Sequence, residues 1–377
     1  MKVALIHDWL TGMRGGEKCL EILCELFPEA TVYTLLHKKG SVSDSISRMK
    51  IKTSFVQNLP FASNHYQKYL PLFPTAIEQF DLTDFDLIIS SSHCVAKGVI
   101  PSSETCHICY CHTPMRYAWE MYYTYFSRNS VSPLVRWSIP FFMNYLRTWD
   151  EKSADRVDHF VANSQNVRRR IKKHYRRDAE IIYPPVDTEY FGLSRKEGEY
   201  YLAVSALVPY KRIDLAVLAF NEMKLPLVVI GDGSEKKKLM KIAEKNIKFI
   251  NWQERSELKK YYAECKALIF PGEEDFGIVP VEAQACGKPV IAFGKGGATE
   301  SVKGTYPDQE ITPSHTGIFF LPQTKDALIE AVRRFDSAKF NPEGIREHSL
   351  RFDRRIFKKK IKEFIEIKFE GHRKNLR

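Results

Sequence analysis

The stretch Phe270-Pro-Gly-Glu-Glu274-Asp-Phe276-Gly277-Ile-Val-Pro280-Val-Glu282-Ala-Gln-Ala-Cys286-Gly287-Lys-Pro-Val290 discloses more than any other part of the chain. The apolar run Ala267 to Phe270 reads as a strand, and it leads into a loop bearing glycine. Pro280 suits the first position of a helix, because that position needs no N–H partner. Gly287 and Pro289 close the helix, and Val290 to Phe293 reads as the next strand. Glu274 then falls in the loop and Glu282 in the first helical turn. Two acceptor carboxylates beside a helix N-terminus, at the carboxyl end of a strand, suit a polyhydroxylated ligand that also carries phosphate. The bland alternative is a pair of solvated helix carboxylates.

Working outward, the pattern repeats. Lys2 to His7 reads as a strand, the loop Asp8 to Glu17 holds Gly12, Gly15 and Gly16, and a helix follows with Cys19, Leu20, Leu23, Leu26 and Phe27 on one face. Further strands are expected at Thr31–Leu35, Asp86–Ser90, Cys106–Cys111 and His159–Ala162. Tyr117 to Trp149 is unusually aromatic and poorly periodic. The best boundary is Tyr183-Pro184-Pro185-Val186-Asp187, where two prolines halt regular structure. A second series follows, with strands near Tyr200–Ser205, Leu227–Ile230, Ile247–Ile250, Ala267–Phe270, Pro289–Phe293 and Gly317–Phe320. Strands alternating with helices predict α/β domains with parallel sheets. The 377 residues suit two domains, and 44% hydrophobic residues supply ample core.

In Ser205-Ala206-Leu-Val-Pro209-Tyr-Lys211-Arg212, a cationic pair lies at a strand's carboxyl end. Ile230-Gly231-Asp232-Gly233 is a strand end with glycines that let backbone approach a ligand, or a plain turn. Gly294-Lys295-Gly296-Gly297-Ala-Thr299-Glu300 can form an anion nest near Glu274. Gly15 and Gly16 open the first helix, and His112 ends a strand in His112-Thr-Pro-Met-Arg-Tyr-Ala-Trp119.

Net charge +11 points to an anionic partner: nucleic acid, acidic lipid or nucleotide-linked substrate. No nucleic-acid-binding signature is evident. The segment from Asn166 to Arg177 holds seven Lys or Arg beside the stripe Val167, Ile171, Tyr175. It reads as a packed helix with a basic face, or as a contact with an anionic bilayer. The aromatic run Trp137 to Leu146 is a candidate anchor or core. No run of 18 apolar residues suggests a membrane span, and the N-terminus does not read as a signal peptide. The eight cysteines lack a disulfide framework, which fits a reducing compartment. Cys106-His107-Ile-Cys109-Tyr-Cys111-His112 reads as a buried strand without zinc-site spacing. Asp84-Phe-Asp86 sits at the start of an apolar strand and is not expected to bind metal.

The Glu274-x7-Glu282 spacing, with Phe276-Gly277 just after the first Glu and the Ala-x-x-Cys-Gly-Lys-Pro-Val-Ile tail, resembles the retaining GT-B glycosyltransferases of family 4. The resemblance implies two Rossmann-like domains facing across a cleft: an acceptor-side domain over 1–186, rejoined by a C-terminal helix over 354–377, and a donor-binding domain over 187–353. It implies that Glu274 contacts the sugar hydroxyls, Glu282 the ribose, and Lys211 the diphosphate. Ala206 stands where the family usually has an Arg, which raises the expected contribution of Arg212. Gly15, Gly16, Gly233, Phe276, Gly277, Gly296 and Gly297 complete the expected donor site, and His112 is expected beside the transferred sugar. No cofactor and no metal are expected. The His112–Trp119 block looks like that of members handling lipid-linked oligosaccharides with GDP-mannose. The implied activity is hexosyl transfer, with GDP-mannose as the best guess, to a lipid-linked glycan. UDP-glucose, UDP-galactose or UDP-GlcNAc are the alternatives, and a basic nucleic-acid-binding protein is a weaker one. The implied location is cytoplasmic, peripheral on the inner face of the membrane.

Overall fold

The computed structural model describes residues 1–126, 133–196 and 198–376. The chain divides into two compact units, Met1–Pro185 with Phe357–Arg377, and Val186–Ile356.

The first unit holds β1 Val3–His7, β2 Thr31–Thr34, β3 Lys50–Thr53, β4 Leu87–Ser92, β5 Cys106–Cys111, β6 His159–Ala162 and β7 Ala179–Ile181. They form one seven-stranded parallel sheet in the order β3-β2-β1-β4-β5-β6-β7. The central strands β1, β4 and β5 are buried on both faces along their whole length, as in helix-covered parallel sheets. The edge strands β3 and β7 were not expected from the sequence. Lys50–Thr53 is largely exposed and carries two lysines, so it lacks the apolar signal of a central strand.

The strand order reverses between β1 and β4, which are paired with His7 opposite Ser91. Their carboxyl ends are therefore level, and the residues that follow emerge side by side. Such a switch point is where an open α/β sheet has a crevice.

One face of this sheet packs Leu5, Val32, Ile89 and Ile108 against the Gly15–Leu26 helix and against Phe357, Ile361 and Phe364 of the final helix, Arg354–Asn375. The opposite face covers itself with Ile139, Met143 and Leu146. These belong to a 21-residue helix, Pro133–Ser153, inside the aromatic segment that shows no clear sequence period. Its other face exposes Trp137, Phe141 and Tyr145 at four-residue spacing, so the Trp137–Leu146 run contains both core and surface. Residues 127–132 of that segment lie outside the described residues.

The second unit holds β8 Tyr200–Val204, β9 Leu227–Ile230, β10 Ile247–Ile250, β11 Cys265–Phe270, β12 Val290–Phe293, β13 Gly304–Thr305 and β14 Gly317–Phe320. Its parallel order is β10-β9-β8-β11-β12-β14-β13, with the switch between β8 and β11. Two parallel seven-stranded sheets with helices make this an α/β protein with two Rossmann-like domains.

A charged pair sits inside the first unit. Lys97 and Asp150 are fully buried, with Nζ 2.8 Å from Oδ1. Lys97 also donates to the Asp150 carbonyl at 2.7 Å and to Ser153 Oγ at 2.5 Å. Asp150 accepts from Trp119 Nε1 at 2.8 Å and from the Tyr175 hydroxyl at 2.9 Å. Removing one partner strands the other charge in an apolar interior. Asp150→Ala is expected to cost about 3–5 kcal/mol in urea unfolding. Replacing both charges with apolar residues should recover much of that loss. A single-mutant loss below about 1 kcal/mol, the range of exposed pairs, would mean that water reaches the site.

Candidate functional site

In the second unit, the loop after β8 forms a short 3₁₀ turn over Pro209–Lys211, and Arg212 follows with φ +54° at the start of the Ile213–Met223 helix. The loop after β11 runs from Pro271 to Gly277. These loops leave the two strands of the switch point, and Lys211 and Glu274 form an ion pair between them, both largely buried. The contact depends on Gly272. A β-carbon there would lie 2.9 Å from both Cα and the carbonyl oxygen of Lys211, closer than side chains come. Val204, Ser205, Ile269, Phe270, Pro271 and Gly272 line a small pocket around the pair.

The third loop presses on the second. Gly296 has φ +70°, and a β-carbon there would meet the Glu274 carbonyl at 2.5 Å. At Gly297 it would meet Phe276 Cα at 2.2 Å. Gly297 N–H donates to the Glu274 carbonyl at 2.7 Å. That N–H is therefore taken by the protein, which corrects the expectation of a simple anion nest: these glycines let two loops touch. Gly233 plays a similar part, since a β-carbon there would lie 2.3 Å from the Leu207 carbonyl. Gly231 and Gly233 thus hold the loop that leads to Lys211.

The helix after the Glu274 loop spans Ile278–Ala285, capped by Gly277 at φ +90°. It begins two residues before the expected start. Pro280 is its third residue, still among the N–H groups without an intrahelical partner. Glu282 consequently lies in the second turn, not the first. It is only 4% exposed, and Oε2 accepts from the Tyr262 hydroxyl at 2.9 Å. Phe276 is buried, its ring edge-on to Phe352 at 5.2 Å. Arg212 pairs with Asp214 through Nε at 3.1 Å and NH2 at 3.2 Å, and reaches Gln323 at 3.4 Å. Gln323 donates in turn to the Pro271 carbonyl at 2.8 Å. Arg212 thus braces the Pro271 loop through Gln323, while Lys211 meets Glu274. Ala206 is exposed.

In the first unit, His112 follows β5, and its Nε2 lies 2.8 Å from Ser91 Oγ. Ser91 Oγ is also 3.2 Å from His7 Nδ1. Gly16, at the first turn of the Gly15–Leu26 helix, faces both imidazoles: a β-carbon there would stand 3.2 Å from His7 Cε1 and 3.6 Å from His112 Nε2. Glu17 is buried, 3.9 Å from His7 Nε2, and accepts from Arg14 N–H at 3.0 Å. Asp8 is fully buried and accepts four backbone N–H groups, from His93, Cys94, Val95 and Ala96, at 2.6–3.0 Å. It also pairs with His93 Nδ1 at 3.0 Å.

The sequence reading found His112, Gly15 and Gly16 here and missed His7, Asp8, Glu17, Ser91 and His93. The available signal was positional. His7-Asp8 ends the first strand, and the polar run Ser90-Ser91-Ser92-His93 ends an otherwise apolar one.

The electrostatics of this cluster follow from burial and neighbours. Burial alone would raise the Asp8 carboxyl, but the charge and hydrogen bond of His93, with His7, hold it well below the carboxylate range. Burial alone would lower His93, but Asp8 and then Glu17 raise it above the ordinary histidine value. Burial, reinforced by His93 and His7, pushes His112 well below that value. Neighbours and burial thus push the two imidazoles in opposite directions, His93 toward its protonated form and His112 toward its neutral form. Ser91 and His7 are fully buried, so of these three linked residues only the half-buried His112 can meet a ligand.

Residues 29–190 match the family model described as Glycosyltransferase Family 4, and residues 187–347 match that of Glycosyl transferases group 1. An uncharacterized glycosyltransferase of Methanocaldococcus jannaschii, MJ1178, is 31% identical over 156 residues, 40% of this chain and 44% of that protein. The O-antigen chain mannosyltransferase RfbU of Salmonella typhimurium is 29% identical over 159 residues, 39% and 45% of the two chains. The alpha-1,3/1,6-mannosyltransferase ALG2 of Saccharomyces cerevisiae is 25% identical over 224 residues, 45% and 44%. The chain thus spans less than half the length of these curated relatives. Among solved structures, Anabaena Alr3699/HepE in complex with UDP-glucose aligns over 97% of this chain and 100% of that one, with TM-score 0.65 and 18% identity. WaaG, a glycosyltransferase of lipopolysaccharide biosynthesis, aligns over 96% and 99%, with TM-score 0.66 and 15% identity. Two adjoining glycosyltransferase domains on the GT-B fold indicate a transferase enzyme.

The His93–Asp8 pair has a defined pH signature. His93 is raised when folded, so its stabilising contribution is complete below its unfolded value, about 6.5, and is lost as pH rises through the folded value. Asp8 is lowered, so its contribution holds above its unfolded value, about 3.9, and is lost only as pH falls through the lower folded value. The stability gap between wild type and His93→Gln should therefore be largest near pH 5–6 and shrink as pH rises above the folded value. Urea unfolding across pH 5 to 9 measures it; a gap that widens with pH would contradict the pairing.

Proposed function

We propose that this enzyme is a retaining, metal-independent hexosyltransferase. In the best-supported version it moves mannose from GDP-mannose to a lipid-linked oligosaccharide or polysaccharide precursor. The Lys211–Glu274 pair at the β8–β11 switch point carries the reading. It sets a cation and an acceptor carboxylate side by side, matching the two chemistries of a nucleotide sugar: a diphosphate and a ring of hydroxyls. In transfer, the bond from the anomeric carbon to the diphosphate oxygen breaks, and an acceptor hydroxyl bonds to that carbon on the same face. The departing phosphate takes the hydroxyl proton. Lys211 stabilises the charge growing on the diphosphate, and Glu274 orients the sugar by accepting from its hydroxyls. Two relatives named as mannosyltransferases support the sugar. The neighbour in complex with UDP-glucose makes a UDP-hexose the alternative.

Lys211→Ala should lower turnover by about 10²-fold or more while leaving the circular dichroism spectrum unchanged. Glu274→Gln should abolish transfer but keep the affinity for free nucleotide. Normal turnover in either variant would remove the pair from the donor site.

A lipid-linked acceptor calls for a membrane-facing enzyme, and we extend the proposal to peripheral binding on an anionic bilayer at the inner face. In the Gln165–Tyr175 helix, Val167, Ile171 and Tyr175 are buried while Arg168, Arg169, Lys172 and Lys173 are exposed. Trp137 and Phe141 stand 76% and 69% exposed in the same unit. Among the described residues no helix is long and apolar enough to cross a membrane. Each basic residue near an anionic surface adds about 1 kcal/mol, screened over roughly 8 Å in physiological salt. Replacing the four exposed cations with Gln should weaken flotation with anionic liposomes and spare transfer to a soluble acceptor. Equal flotation of that variant and wild type at low salt would refute the basic face as the contact.

A further inference from the structure

The amino end of the first unit's sheet holds a cluster that none of this chemistry uses. Cys106 begins β5, Asp158 immediately precedes β6, and His372 lies near the end of the Arg354–Asn375 helix. One ligand atom from each lies within 4.8 Å of the other two, the only such metal-capable group among the described residues. Cys106 is buried, His372 half-buried and Asp158 exposed.

We propose that Cys106, Asp158 and His372 form a structural site for a soft divalent cation of the zinc class, fastening the C-terminal helix to the sheet. The ligand set has the chemistry such an ion prefers: one sulfur, one imidazole nitrogen and one carboxylate oxygen, with water completing a tetrahedron. Supporting hydrogen bonds are already made. Asp158 Oδ2 accepts from His107 N–H at 2.7 Å, which fixes the carboxylate. His372 Nε2 lies 3.1 Å from the Glu104 carbonyl. A ligating histidine commonly gives its other ring N–H to a backbone carbonyl in this way, and here that leaves Nδ1 for the ion. Arg177 donates to the Asp158 carbonyl at 3.0 Å, leaving the carboxylate outside that bond. On binding, the Cys106 thiol gives its proton to solvent and its sulfur lone pair to the metal. Thiolate and carboxylate together then neutralise the ion.

The three residues come from distant parts of the sequence, so the Cys-His spacing of residues 106–112 could not reveal them. The site is also separate from His112, which follows the other end of β5, about 20 Å away at the rise of a strand. The inference is independent of the proposed transfer reaction.

The full-length enzyme, stripped of metal, would be titrated with Zn²⁺ and with Co²⁺. The expected result is one equivalent of either ion, a thiolate-to-cobalt charge-transfer band, and a rise in the melting temperature with Zn²⁺. His372→Ala should weaken binding by more than the 10–100-fold (roughly) that loss of a supporting hydrogen bond costs, and Cys106→Ser should remove the charge-transfer band. Asp158→Asn keeps the shape and should also weaken binding, so the test survives if Cys106→Ser fails to fold. Turnover below the melting range should be the same with and without chelator. A cobalt spectrum lacking the thiolate band, or zinc affinity unchanged in His372→Ala, would overturn the site.

Discussion

The ion pair of Lys211 and Glu274 joins two loops that could not meet if residue 272 carried a β-carbon. The same constraint recurs one loop further on, where Gly296 and Gly297 lie against the backbone of Glu274 and Phe276. It recurs one loop before, where Gly231 and Gly233 lie against Ser205 and Leu207. The strands supply a level platform, and the glycines set how closely the loops stack on it. Opposite charges are thereby brought together at the switch point: the backbone holds the loops of a lysine and a carboxylate close enough for their largely buried side chains to pair. A preorganised ion pair of this kind gains strength as water is excluded.

The first unit reaches a comparable result by a different route. Its switch point is organised by one buried carboxylate, Asp8, which gathers four consecutive backbone N–H groups and a histidine. The negative charge that orders the loop also favours the protonated form of His93. Burial, with His93 and His7 beside it, drives His112 the other way. Two imidazoles 6.3 Å apart are thereby pushed in opposite directions.

Much of the fold was legible because parallel strands buried on both faces are short, largely apolar runs, as at Val3–His7, Leu227–Ile230 and Val290–Phe293. Three edges were not legible: Lys50–Thr53, Ala179–Ile181 and Gly304–Thr305 pair on one side only and carry no such run, unlike the edge strand Ile247–Ile250. The Pro133–Ser153 helix escaped because its solvent face bears Trp137, Phe141 and Tyr145, which erase the apolar period. At the site, Lys211 and Glu274 could be read because each sits at the end of a recognisable strand. The buried setting of Glu282 could not, since it follows from a helix that starts at Ile278 and from Tyr262, twenty residues away. The Asp8–His93 pair joins residues 85 apart, visible only once β1 and β4 are neighbours.

The central claim is that the Lys211–Glu274 pair recognises both halves of a nucleotide sugar. Calorimetric titration with GDP-mannose and with GDP, in wild type and Glu274→Gln, tests it most directly. The account predicts that wild type binds GDP-mannose more tightly than GDP, and that Glu274→Gln loses this preference while binding GDP as before. Equal affinity of wild-type enzyme for the two ligands, repeated with UDP-glucose and UDP, would contradict it.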